Sequence, residues 1–137
     1  MKNHLIISLL LLSVGFCQQE YNADNLNEID GVFYTTDMNE PYSGPVFSLY
    51  ENGNKESEWT LMDGKLDGLY TLWYKSGRKW LQNTYKDGKL DGLSIYWDRK
   101  EQLDTKRTYK DGELISQKCW DEDGNECVCS DLGRGCK

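Results

Sequence analysis

Residues 69–92 read LYTLWYKSGRKWLQNTYKDGKLDG, and this stretch decides the fold. Two short runs, 69–74 and 79–85, carry aromatic, leucine and threonine side chains; Ser76-Gly77 separates them and Asp87-Gly88 follows. Runs of this kind between glycine-containing turn signals read as the two strands of a hairpin. Asp-Gly supplies the positive φ that a two-residue hairpin turn requires, so the chain should reverse again at Asp87.

The pattern extends in both directions with a period of 24 residues. PVFSLYENGNKESEWTLMDGKLDG precedes it from Pro45, LSIYWDRKEQLDTKRTYKDGEL follows from Leu93, and a partial copy, ISQKCWDEDGNECVC, starts at Ile115. Gly44, Gly68 and Gly92 share one phase and Gly64, Gly88 and Gly112 a second. Gly53 and Gly77 share a third, at which the next copy has Glu101 and the partial copy has Gly124, one residue out of step. Seven of the 13 glycines directly follow Asp, which ties the pattern to turn chemistry. In the DGKLDG links at Asp63 and Asp87, the two Asp-Gly steps should turn the chain tightly into the next hairpin. The predicted fold is all-β, an elongated antiparallel hairpin meander of 24-residue units over 41–114. A signal peptide over 1–17 and a lead-in strand over 18–40 precede it, and a partial copy with a Cys-rich cap over 115–137 closes it.

Alternation predicts the faces. Trp59 and Leu61, Asn83 and Tyr85, Arg107 and Tyr109 share one side of the second strands, a candidate apolar stripe. Thr60, Thr84 and Thr108 lie on the other beside Glu58, Gln82 and Lys106. In the first strands Phe47 and Leu49, Thr71 and Trp73, Ile95 and Trp97 oppose Tyr50 and Tyr74, so aromatics occupy both faces. Simple alternation puts Trp80 on the threonine side, where the equivalents are Glu56 and Asp104, so Trp80→Ala is expected to change stability little.

The charge narrows the partners. The chain has 137 residues, enough for one small domain, and a net charge of −7. An acidic surface argues against nucleic acid and anionic headgroups, which require an excess of Lys and Arg. Lys2, the apolar run Leu5-Ile6-Ile7-Ser8-Leu9-Leu10-Leu11-Leu12 and the small residues up to Gly15 read as an export signal. That run is too short for a membrane span, so no span is expected after its removal. Cleavage near Cys17-Gln18 or Gly15-Phe16 is the expectation; lipid attachment at Cys17 is the alternative, disfavoured by the bulky Phe16 before it. In an oxidising compartment Cys119, Cys127, Cys129 and Cys136 should form two disulfides. Cys119 with Cys127 across the Asp121-Glu122-Asp123-Gly124 turn, and Cys129 with Cys136, is the favoured pairing; a zinc site lacks its usual C-x2-C spacing.

Catalytic chemistry is poorly represented. The only histidine is His4, inside the leader, which removes histidine triads and histidine metal sites from the mature chain. The carboxylate pairs Asp63 with Asp67 and Asp87 with Asp91 recur at turns, where Asp serves the backbone rather than a glycosidase mechanism. Asp121, Asp123 and Asn125 resemble a calcium loop only out of register, because Gly124 falls between the ligand positions. No catalytic residue, metal or cofactor is expected. The candidate binding surface is aromatic: Trp59, Trp73, Trp80, Trp97, Tyr74, Tyr85 and Tyr109, able to grip a protein or stack on a glycan.

The steps DGVFY from Asp30, PYSGP from Pro41, YENG from Tyr50 and YKDGKLDG from Tyr85 resemble the variant MORN repeat, and more narrowly the YwqK-type antitoxin group, over about 30–126. The resemblance implies antiparallel hairpin arrays that contact proteins or membrane lipids. The third copy departs from it, with Asp98 for Tyr and Glu101 for Gly, so a longer or bulged turn is expected there. The functional expectation is an exported, non-enzymatic interaction or structural module of the periplasm, envelope or exterior, with an unidentified protein as its partner. An antitoxin that neutralises a toxin by binding it, and a glycan-binding or glycan-acting protein, are the alternatives; self-association is open to a sheet this thin.

Overall fold

The computed structural model describes residues 20–36, 40–131 and 133–137. The predicted leader, with His4 and Cys17, lies outside the described residues, and so do the expectations placed on it. The strands in chain order are β1 (Tyr21–Asn22), β2 (Leu26–Ile29), β3 (Val32–Thr35), β4 (Gly44–Leu49), β5 (Lys55–Met62), β6 (Lys65–Trp73), β7 (Lys79–Lys86), β8 (Lys89–Trp97), β9 (Leu103–Lys110), β10 (Glu113–Trp120) and β11 (Glu126–Cys127). From β4 to β11 each strand pairs antiparallel with the next, so strand order follows chain order. The fold is all-β and built from hairpins, as the turn signals predict.

The lead-in is more elaborate than one strand. β1 pairs parallel with β4, and β2 and β3 form a separate hairpin. That hairpin is tied to the first Asp-Gly turn, since Phe33 N donates to Gly64 O and Gly64 N to Tyr42 O. The equivalent donations further along are Gly88 N to Leu66 O and Gly112 N to Leu90 O, so the lead-in occupies the place of a preceding hairpin.

Two kinds of turn alternate. At Asp63-Gly64, Asp87-Gly88 and Asp111-Gly112 both residues have positive φ, the two-residue geometry expected. At the other end only the glycine does: Gly53 N donates to Tyr50 O and Tyr50 N to Asn54 O, and Gly77 and Tyr74 repeat this with Arg78, a longer turn than Asn-Gly alone suggests. The expected lengthening at the third copy does not occur. Asp98 and Glu101 make the same pair of bonds, Glu101 adopts φ +66°, and the Asp98 carboxylate accepts from Lys100 N and Gln102 N.

The second Asp-Gly step of DGKLDG is not a turn. Asp67-Gly68 and Asp91-Gly92 lie inside β6 and β8, beside register shifts at Trp59/Leu61 and Asn83/Tyr85, with φ +104° at Gly68 and +120° at Gly92. A Cβ on Gly92 would approach Thr84 Cβ to 3.0 Å, so a side chain there would crowd Thr84 as well as strain the backbone at φ +120°.

One face of the long sheet holds most of the buried side chains, whereas Thr71 is buried on the other. Val46, Trp59, Tyr70, Asn83, Ser94, Arg107 and Gln117 form one cross-strand row, and Ser48, Ser57, Leu72, Leu81, Tyr96, Thr105 and Cys119 form the next. These two rows hold most of the buried residues: Val46, Leu81 and Cys119 with the polar Ser57, Asn83, Ser94 and Thr105. The inner face is therefore no oily core. Small polar side chains lie among aromatics, with Trp59 to Tyr70 at 5.6 Å and Tyr70 to Tyr85 at 6.1 Å between ring centroids. Burial raises the Tyr70 hydroxyl above its usual pKa, and neighbouring Tyr85 adds to the shift.

The C-terminal tail covers the far end of this face. Gly135 N donates to Thr105 Oγ1, Arg107 Nη2 donates to Gly133 O, and the Arg134 guanidinium lies 5.4 Å over the Tyr96 ring. Two disulfides hold the tail, but Cys119 bonds Cys129 and Cys127 bonds Cys136, not the favoured pairs. The expected pairs do face one another in backbone register, Cys119 against Cys127 and Cys129 against Cys136. The sulfurs join along the diagonals, where side chains two residues along the partner strand also come within reach.

Candidate functional site

The aromatic residues singled out from sequence divide between the two faces. Trp59 belongs to an inner row, and Tyr85 and Tyr109 continue the same face two residues further along β7 and β9, the Tyr85 ring 6.1 Å from Tyr70. Trp80 belongs with them, contrary to simple alternation. Register shifts at Ser48/Leu49, Leu72/Trp73 and Tyr96/Trp97 leave Glu56, Trp80 and Asp104 as extra residues in β5, β7 and β9. A bulge of this kind re-aims the side chain. Glu56 accepts from the inner-face Ser48 Oγ, and the Trp80 ring lies 5.9 Å from Tyr74, on the side opposite Trp73. Tyr74 donates its hydroxyl to Trp97 O, as Tyr50 does to Trp73 O, so both serve to tie one hairpin to the next.

Trp73 and Trp97 remain on the outer face. They stand at one phase of the 24-residue period on β6 and β8, two strands apart, which corresponds to about 10 Å. Trp73 faces Lys79 in register, and the lysines interleave with the rings: Lys55 Nζ is 5.6 Å from the Trp73 centroid and Lys79 Nζ 5.9 Å from that of Trp97. Trp73, Gly77, Lys79, Trp97 and Glu101 line one cleft; a second, which shares Trp73 and Lys79, is bordered by Glu58, Trp59, Thr60, Leu69, Thr71 and Gln82. Lys55 is paired with Glu58 at 2.5 Å, whereas Lys79 has no carboxylate within bridging distance among the described residues. Alternation assigned Trp73 and Trp97 to one side correctly; the lysines were missed, though Lys55 and Lys79 repeat at the same 24-residue interval.

The carboxylate pairs serve the backbone. Asp67 Oδ2 accepts from Asp87 N and Asp91 Oδ2 from Asp111 N, each at 3.3 Å, and Lys86 and Lys110 stand against them at 3.6 and 2.7 Å. The Lys110 hydrogen bond, then that from Asp111 N, holds the Asp91 carboxyl below its usual range, and the same contact raises Lys110. Asp121 accepts from Asp123 N and Asn125 N, a turn arrangement that also lowers its pKa, with the Asn125 amide the largest cause. Among the described residues no group of three or more His, Cys, Asp or Glu is placed to hold a metal ion, and no helix is long and apolar enough to cross a membrane. Comparison with family models, curated proteins and solved structures finds no match.

Proposed function

We propose that this chain is an exported, non-enzymatic MORN-type repeat protein that acts as an interaction or structural module at the bacterial envelope or outside the cell. The observation that carries the reading is the division of one sheet into a face that holds most of the buried side chains and a second with recurring aromatic–lysine pairs. The 24-residue recurrence of the Tyr50 and Tyr74 bonds supports the repeat assignment, because equivalent side chains tie equivalent neighbours. Two disulfides support an oxidising compartment. The absence of histidine after the leader, and the engagement of Asp67, Asp91 and Asp121 with backbone amides, support a binding role over catalysis.

Fractionation of cells making the full-length chain, with intact mass before and after reduction, tests this reading. A leaderless protein outside the cytoplasm that gains about four hydrogens on reduction is the expected result. Full-length, reduced protein in the cytosol would overturn it.

A further inference from the structure

We propose that the outer face around Trp73, Lys79 and Trp97 binds an extended acidic polysaccharide, with the rings stacking on sugar faces and Lys79 meeting a carboxylate. This deepens the interaction-module reading and rests on it only for the choice of face. The first observation is spacing. Trp73 and Trp97 line a shared cleft two strands apart, about 10 Å. In a flat β-1,4-linked chain every second sugar presents the same face at a comparable interval, so both rings can stack on one chain in register. Thr60, exposed, and Gln82, whose Nε2 donates to the buried Thr71 hydroxyl, border the adjoining cleft and offer a hydroxyl and an amide oxygen to sugar hydroxyls.

The second observation is charge. In a chain with 23 acidic against 16 basic residues, Lys79 lies exposed between two tryptophans with no ion-pair partner among the described residues. Glu101, which also lines the cleft, has Arg78 at 4.0 Å. An anionic ligand is thereby favoured over a neutral one. A second copy docking face to face, Trp73 and Trp97 against Trp73 and Trp97, would bring together two Lys79 ammonium groups, each unpaired among the described residues. An acidic peptide added as a strand needs a free backbone edge, and β6, β7 and β8 are each paired on both sides.

The test is calorimetric titration of the intact, oxidised protein with a β-1,4-linked mannuronic acid hexamer, using cellohexaose and hexaglutamate as comparison ligands. The mannuronate hexamer should bind and weaken with added salt, and Trp97→Ala and Lys79→Gln should each reduce affinity about tenfold. Cellohexaose should bind about tenfold more weakly to the wild type, and hexaglutamate should show no comparable affinity. Lys79 is exposed and donates no side-chain hydrogen bond among those described, and its contact with the Trp97 ring is long, so Lys79→Gln should melt close to wild type and separates lost binding from lost fold. No binding of the mannuronate hexamer, equal binding of cellohexaose or hexaglutamate, or indifference to Lys79→Gln would each overturn the proposal. The compartment measured by fractionation stands or falls separately.

Discussion

The middle of the sheet and its C-terminal end solve one problem by different means. In the middle, each hairpin is held by the next: Tyr50 and Tyr74 donate to carbonyls 23 residues on, and Asp67 and Asp91 accept the amides of the following Asp-Gly turns. Among the described residues β10 is followed by the two-residue β11 alone. The tyrosine tie is already lost at Asp98, which bonds its own turn; Asp121 repeats that in the next turn, and Ile115, 62% exposed, takes the phase of Asp91. There the tail lies over the inner face and disulfides replace the missing neighbour. A hairpin array draws stability from nearest neighbours, so a hairpin with a full neighbour on one side only gains from a second source.

The most direct way to break this comparison is to cut the covalent end. Cys119→Ser with Cys129→Ser should cost about 2–4 kcal/mol in chemical denaturation, the usual loss for a native disulfide. Hydrogen exchange at Gly135 N, which bonds Thr105 Oγ1, should accelerate while that at Gly88 N, in the middle of the sheet, changes least. Equal acceleration at both amides would show that the two regions unfold as one and remove the distinction.

In the middle of the sheet, Trp80 replaces covalent bonding with packing. Its ring is partly buried against Tyr74, so Trp80→Ala should cost about 1–2 kcal/mol, below the full-burial loss because part of the indole is already in water. This reverses the small effect expected from alternation. A midpoint within error of wild type would restore the sequence expectation and refute the inner-face placement.

Much of this architecture was legible in sequence because its determinants are local. Asp87-Gly88 carries its turn in two residues, and alternation along 81–85 assigns Leu81, Asn83 and Tyr85 to one side without reference to any partner. What was missed depends on a neighbour. A bulge opposite Trp73 turns Trp80 over, and the diagonal reach between paired strands selects Cys129 for Cys119. Gly92 resembles Gly88 in sequence, but only the approach of Thr84 shows that it serves a strand. For the candidate site, the tryptophans were legible as aromatics, but their separation from Trp59 and Tyr85 required the sheet.

The turns offer a smaller test in the opposite direction. Glu101 holds φ +66° at the position that Gly53 and Gly77 fill with glycine. Left-handed backbone is unfavourable for a residue with a Cβ, so Glu101→Gly should raise stability by about 1 kcal/mol. The lost contact with Arg78 is long and exposed and offsets little of this. A fall in the unfolding midpoint would mean that the Arg78 contact outweighs the backbone, and that the third turn differs in kind from the first two.

The smallest effect concerns acid. Asp91 has its pKa lowered by Lys110 and by the Asp111 amide, so its contribution is present above the unfolded value of 3.8 and is lost as pH falls through the lower folded value. The melting temperature should therefore decline as pH drops below the ordinary carboxylate range, and Asp91→Asn should flatten that decline because it has no proton to take up there. Asp121 has a lowered pKa in the C-terminal turn and contributes with the same sign, so Asp121→Asn is the matched comparison. The two differ in reach: the Asp91 carboxylate joins separate hairpins, whereas the Asp121 carboxylate bonds only amides of its own turn. Protonation at Asp91 should speed exchange at Asp111 N, in the next hairpin, while protonation at Asp121 should affect only Asp123 N and Asn125 N. If both variants changed exchange only within their own turns, the Asp91 bridge would not couple one hairpin to the next.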